Sequence, residues 1–213
     1  MKRIAFALPL VVVLSIVLFG IVLFPVLCSA DVVINEILPS PSIDWNGDSV
    51  YNYRDDEWVE IYNNSESPAV LDGYRIADAD TTWRYGLSGT IPAQGHLAVY
   101  GSQSYAWERA NGYPAYGLSL ANTGDTVRLW RFVGADSFQV DSYTYGKAAG
   151  GSNRSVGRKP SGSQDWYIFD ALSPYSGTEP PLGTKCPPSP GGPNGCATDI
   201  VPEPWGAIKA LFR

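Results

Sequence analysis

Short apolar runs broken by turn residues recur from Val32 to Tyr145, and this rhythm constrains the fold more than any other feature of the chain. The runs are Val32 to Leu38, Trp58 to Asn63, Ala69 to Ile76, His96 to Tyr100, Leu118 to Leu120, Thr126 to Val133 and Gln139 to Tyr145. Each has the length of a strand, and Asp72-Gly73, Pro92 to Gly95, Asn122 to Gly124 and Gly150-Gly151 supply the backbone freedom for reversals between or after them. Seven or more short strands at this spacing predict an all-β sandwich. In Thr126 to Phe132, Val127, Leu129 and Arg131 share one face, while Thr126, Arg128, Trp130 and Phe132 share the other. That alternation predicts a sheet covered fully on one side only. Only Ser104 to Gly112 suggests a helical turn.

The first thirty residues are of another kind. Lys2 and Arg3 precede an unbroken apolar run from Ile4 to Leu27, and Cys28 and Ala30 fit a small-x-small cleavage site. This pattern predicts a signal peptide over residues 1–30 with a mature chain from Asp31. Residues 4–27 are also long enough to span a bilayer, so the alternative is an uncleaved anchor with the domain outside. Of the 15 lysines and arginines two fall in the leader, which has no acid, so the mature part is more acidic than the whole chain's −6. No basic stripe is present, which argues against a nucleic-acid partner.

Export agrees with the cysteines. Cys186 and Cys196 remain after cleavage, close together in a segment rich in proline and glycine, and they are expected to form a disulfide that staples residues 173–213 and adds little to the main fold. Residues 31–172 form the expected domain. Val201-Pro202-Glu203-Pro204 looks like the start of a PEP-CTERM sorting signal without the helix and basic cluster that complete one, and Trp205 to Arg213 reads as a short docking segment.

Three stretches carry a family resemblance: Val33-Ile34-Asn35-Glu36-Ile37, Asp56-Glu57-Trp58-Val59-Glu60-Ile61-Tyr62-Asn63 and Leu71-Asp72-Gly73-Tyr74-Arg75-Ile76-Ala77-Asp78. In combination they resemble the lamin tail domain family. Ile91 to Tyr100 is similar to the family's next strand pair and Leu118 to Leu129 to its late hairpin. The resemblance implies an immunoglobulin-like β-sandwich over roughly residues 32–170, no catalytic residues and a role in binding other components.

One loop has the residue types for a cofactor. Asp44, Asn46, Asp48, Asn52 and Asp55 place oxygens at positions 1, 3, 5, 9 and 12 of a calcium loop, with the Val50 carbonyl at position 7. Ser49 stands where such loops need glycine, and Asp56 or Glu57 is placed to complete the shell. The alternative is a solvated turn whose side chains cap their own backbone. Trp83, Tyr85, Trp107 and Tyr113 are the candidates for stacking on sugars, with Trp58 and Trp130 expected in the core. His96, the single histidine, reads as a surface or edge residue; with no Gly-x-Ser-x-Gly elbow it does not point to a hydrolase. Glu57 and Glu60 alternate onto opposite faces, and Glu36 and Glu60 are placed to accept hydrogen bonds at a sheet end. The expected function is a non-catalytic, secreted or envelope-bound interaction module with a calcium-ordered first loop and an extracellular or envelope protein as partner. Glycan binding is the alternative.

Overall fold

The computed structural model describes residues 32–196. The leader, its cleavage site, the anchor over 4–27 and the segment 201–213 lie outside the described residues.

Eleven strands and one helix build the described region: β1 (Val32–Leu38), β2 (Trp58–Asn63), β3 (Ala69–Val70), β4 (Tyr74–Ala77), β5 (Trp83–Gly86), β6 (Thr90–Ile91), β7 (His96–Tyr100), α1 (Gly101–Ala110), β8 (Gly124–Val133), β9 (Asp136–Gly146), β10 (Ser155–Arg158) and β11 (Trp166–Phe169). A five-stranded sheet in the order β11-β10-β1-β2-β7 faces a four-stranded sheet in the order β5-β4-β8-β9, and β3 pairs with β6 beside them. The pairings between these strands are antiparallel, as an immunoglobulin-like sandwich requires.

The core lies between the sheets. Ile34, Ile37, Val59, Ile61, Val99, Val156 and Ile168 project from the larger sheet onto Ile76, Val127 and Leu129 of the smaller one. Val127 and Leu129 are buried as the alternation requires, whereas Arg131, past the register shift at Leu129/Trp130, is exposed. A second shift between Ile34 and Glu36 lets buried Asn35 donate from Nδ2 to Glu60 Oε1 at 2.7 Å.

Three expectations need correction. Ala69 to Ile76 is split into β3 and β4, because the Asp72-Gly73 turn, with Gly73 at φ +87°, breaks the run. Leu118 and Leu120 reach the core without forming a strand, because Ser119 between them takes φ +57° and ends extension. Trp58 is fully buried, but Trp130 is half-buried on the outer face of the smaller sheet. The helix is longer than a turn; it opens with Gln103 Oε1 accepting the Tyr100 N–H at 2.9 Å.

The segment after β11 is knitted into the sandwich. Ile168 N–H donates to the Leu182 carbonyl and Thr184 N–H to the Ile168 carbonyl, both at 2.9 Å, so Gly183 lies as a parallel bridge along β11. The Asp170 carboxylate accepts the Tyr175 N–H at 2.8 Å and the Lys185 N–H at 2.6 Å. The Cys186–Cys196 disulfide forms as expected. Its ring nevertheless sits on the sheet and bonds to β1, β2 and β10, so it does more than staple a tail.

Candidate functional site

The calcium-loop candidates form a self-capping loop. Asp44 accepts the Gly47 N–H on one carboxylate oxygen and the Ser49 N–H on the other, both at 2.7 Å. Asn46 accepts the Asp48 N–H at 2.9 Å, Asp48 the Val50 N–H at 2.8 Å and Asn52 the Arg54 N–H at 3.0 Å. These are Asx turns, in which short side chains take the place of missing backbone partners. Ser49 takes φ +71°, the left-handed conformation that glycine would supply at that position. Asp55 has its carboxyl pushed upward by partial burial and by the charges of Asp48 and Asp56. Among the described residues, no three histidine, cysteine, aspartate or glutamate side chains come together as a metal-holding group. A cation here would therefore depend on asparagine and carbonyl oxygens as well as carboxylates.

Buried Asp56 is the anchor of the loop. Its carboxylate accepts the N–H groups of Trp45 (2.7 Å), Asn46 (3.0 Å) and Asn52 (2.8 Å). Trp45 packs edge-on against Trp58 at 6.1 Å and donates from Nε1 to Asn153 Oδ1 at 3.0 Å, so the loop's base is tied to the segment before β10.

Beside the loop lies a shallow cavity of about 410 Å³ lined by Asn52, Tyr53, Arg54, Asp55, Tyr105 and Tyr116. Tyr53, Tyr105 and Tyr116 are 61%, 42% and 52% exposed. The Arg54 guanidinium lies 5.5 Å from the Tyr53 ring centre and 5.9 Å from that of Tyr116, a cation–π arrangement on both sides. Among the described residues, six of the eleven exposed large apolar side chains belong to this region: Ile43, Val50, Tyr51, Tyr53, Tyr105 and Tyr116.

Buried chemistry fixes the walls. Gly101 begins α1 where a Cβ would fall 1.8 Å from the Arg54 carbonyl oxygen, so only glycine lets the helix meet the loop. Glu108, fully buried on α1, accepts the Tyr116 N–H at 2.7 Å and the Gly117 N–H at 2.8 Å, and pairs with Arg84 at 3.0 Å. Arg84 also donates from Nε to Asp78 at 2.7 Å, whose carboxyl is pushed up to about 6 by burial even beside this cation. Tyr116 is thus held in place by a buried ion network.

The four sugar-stacking candidates separate into two groups. Trp83 packs with Trp130 (5.9 Å) and Phe132 (5.3 Å) under the Arg75 guanidinium on the outer face of the smaller sheet. Tyr85 contacts Trp107 at 6.3 Å, and Trp107 stacks on Tyr113 at 5.4 Å, which occupies one face of each ring. They do not form one platform.

His96 is an edge-strand residue, as expected. Its ring packs tilted against that of Tyr62 at 4.6 Å and meets Ser161 Oγ at 3.0 Å through Nε2. That hydroxyl also accepts the Asn194 N–H at 3.0 Å, so it serves the packing of the disulfide ring. Glu36 accepts the hydroxyls of Ser155 and Ser189, and Glu60 accepts the Gly191 N–H, as their positions in the strands suggest. Burial pushes Glu36 up to about 7 and Glu57 and Glu60 up to about 8.

Sequence reasoning missed Tyr53, Arg54, Tyr105 and Tyr116 as walls of one cavity. In the sequence the stretch 51–54 counts only for its calcium-loop oxygens; its Tyr-Asn-Tyr-Arg run is the one local signal, and nothing local ties it to Tyr105 and Tyr116.

No curated protein matches the chain. The family model described as Lamin Tail Domain matches residues 28–147. Domains of that family are immunoglobulin-like and generally non-catalytic, in keeping with two antiparallel sheets and a surface of rings around a pinned loop. This chain belongs to the lamin tail domain family.

Proposed function

We propose that the protein works outside the cytoplasm as a non-catalytic interaction module and binds an extracellular or envelope protein through the tyrosine-lined face of its first loop. The observation that carries this reading is the gathering of six exposed apolar side chains, four of them tyrosines, on a loop pinned by Asp56 and beside a helix pinned by Arg84 and Glu108. Tyrosine supplies large, stiff, amphipathic contact area at small entropic cost, and a pre-ordered loop loses little freedom on binding. The apolar leader sequence and the disulfide support an exported location.

The finer part of the reading is calcium at Asp44, Asn46, Asp48, Asn52, Asp55 and the Val50 carbonyl, supported by the left-handed Ser49 and by the charge crowding on Asp55. Its role would be to stiffen the loop that carries the tyrosines. Glycan binding is the second reading, favoured by the Trp83, Trp130 and Phe132 cluster, and a glycan array separates it from protein binding.

The deciding experiment compares binding of the wild-type domain and a Tyr53→Ala, Tyr105→Ala, Tyr116→Ala variant to intact cells of the source organism. Loss of binding with an unchanged melting temperature supports the reading. A variant that binds as well as the wild type sinks it.

A further inference from the structure

Glu36 and Glu60 are paired across β1 and β2 and buried beneath the ring closed by Cys186 and Cys196. The ring supplies a donor to each beside those from Ser155 and Asn35 in the strands: Ser189 Oγ to Glu36 at 3.0 Å and Gly191 N–H to Glu60 at 2.6 Å. Asn194 completes the seat by donating to the carbonyls of Arg158 (2.8 Å) and Asn35 (3.2 Å). Gly157 makes room for it, since a Cβ there would stand 2.7 Å from the Asn194 amide nitrogen. None of the ring's residues belongs to the apolar core between the sheets.

The two sulfurs of the disulfide differ. Cys186 is fully buried and Cys196 is half-buried. Lys159 places its ammonium 3.9 Å from the Cys186 sulfur, and the Thr184 carbonyl lies 3.7 Å from it. A thiolate attacks along the S–S axis and expels the other sulfur, and expulsion is faster when the leaving thiolate is stabilised. Access selects Cys196 as the sulfur attacked, which makes Cys186 the leaving group beside a cation. Once reduced, Cys186 has Lys159 as partner for its thiolate and Thr184 for its thiol.

We propose that Cys186–Cys196 is a redox-active latch, opened by a small dithiol at Cys196, whose reduction releases the ring from Glu36 and Glu60 while the sandwich stays folded. In the first step the dithiol's thiolate bonds to Cys196 Sγ and the S–S electron pair passes to Cys186. In the second, the dithiol's other sulfur attacks the mixed disulfide and expels Cys196. The dithiol leaves as a cyclic disulfide, and its two protons and two electrons end on the cysteines. Reduction returns conformational freedom to the ring, and nothing in the core has to open for the ring to leave.

The test is native-state hydrogen exchange of the disulfide-bonded full-length protein with and without dithiothreitol, with alkylation to count thiols. Two new thiols without denaturant are expected, with protection at Ser189, Gly191 and Asn194 falling at least tenfold and that at Ile61 and Val99 unchanged. Lys159→Met should slow reduction about three- to tenfold, following the dependence of exchange on the leaving thiol's acidity, and Lys159→Arg should restore the rate. A disulfide that yields only on unfolding overturns the latch, as does loss of protection throughout β2 and β7 or a reduced ring that keeps its protection. Equal rates in Lys159→Met and wild type overturn Cys186 as the leaving group.

Discussion

Arg158 on β10 and Asp141 on β9 join the two sheets of the sandwich, the guanidinium Nη2 meeting both carboxylate oxygens at 3.1 and 3.0 Å. The Ile34 backbone is shared between them: its N–H donates to Asp141 at 2.8 Å and its carbonyl accepts from Arg158 Nε at 2.7 Å. The side chains are only 5% and 13% exposed. Removing one partner of such a pair leaves a buried charge alone, which costs about 3–5 kcal/mol. Arg158→Met should lose that much in urea denaturation, and the double variant with Asp141→Asn should recover part of it. A loss below about 1 kcal/mol in the single variant, the level of an exposed pair, would show that the junction is dispensable.

Stability should fall as the pH rises across the neutral range. Glu36, held up at about 7, and Glu57 and Glu60, held up at about 8, keep protons in the folded state that the unfolded chain releases above 4.5. Their contribution is therefore full below 4.5 and is lost as the pH passes through 7 and 8. Burial is the leading cause at each, and at Glu60 the charge of Glu36 adds to it. Unfolding free energy followed by denaturant titration from pH 5 to 9 should decline by on the order of a few kcal/mol. Glu36→Gln with Glu60→Gln should flatten the decline, whereas an unchanged slope would assign it to Glu57.

Tyr53 and Arg84 should separate binding from folding. Tyr53→Ala removes an exposed ring and should change stability by less than about 0.5 kcal/mol while weakening partner binding. Arg84→Met strands Asp78 and Glu108 without their cation and should cost about 3 kcal/mol or more. Amide exchange should then rise at Tyr116 and Gly117, whose N–H groups Glu108 holds. Unchanged exchange there would remove the ion network from the cavity wall.

Calcium should raise the melting temperature of chelator-treated protein, with a dissociation constant of about 0.1–1 mM, the range of extracellular sites. Asp44→Ala with Asp48→Ala should abolish that rise. The same variant should lose about 1–2 kcal/mol even in chelator, because three backbone N–H groups lose their acceptors. A melting temperature indifferent to calcium would leave the loop ordered by its Asx turns alone.

Strands with a clean apolar pattern were legible in the sequence; β1, β2 and β7 have the expected limits. What hid β10 was composition, since Ser155-Val156-Gly157-Arg158 has a single large apolar residue, yet its glycine is required by the approach of Asn194 and its arginine by Asp141. By contrast β11, Trp166-Tyr167-Ile168-Phe169, is an apolar run that sequence reasoning missed. Trp130 was misassigned to the core although the alternation of Thr126 to Phe132 puts it opposite Val127 and Leu129, on the outer face where it meets Trp83. The loop's oxygens were found by spacing, but the side chain that organises them, Asp56, bonds to N–H groups up to eleven residues away. The tyrosine cavity joins residues more than fifty positions apart, and no local pattern encodes that.

The strand order β11-β10-β1 places the last strands against the first. Glu36 meets Ser155 across 119 residues of chain. A chain made or threaded amino end first must carry β1 with one neighbour missing until nearly all of the domain has emerged, so the fold closes late and as a whole. The same order means that a fragment ended at residue 147, the last residue of the family match, would lack Val156 and Ile168 and leave β1 as a raw edge. The family match stops there, but the folding unit does not.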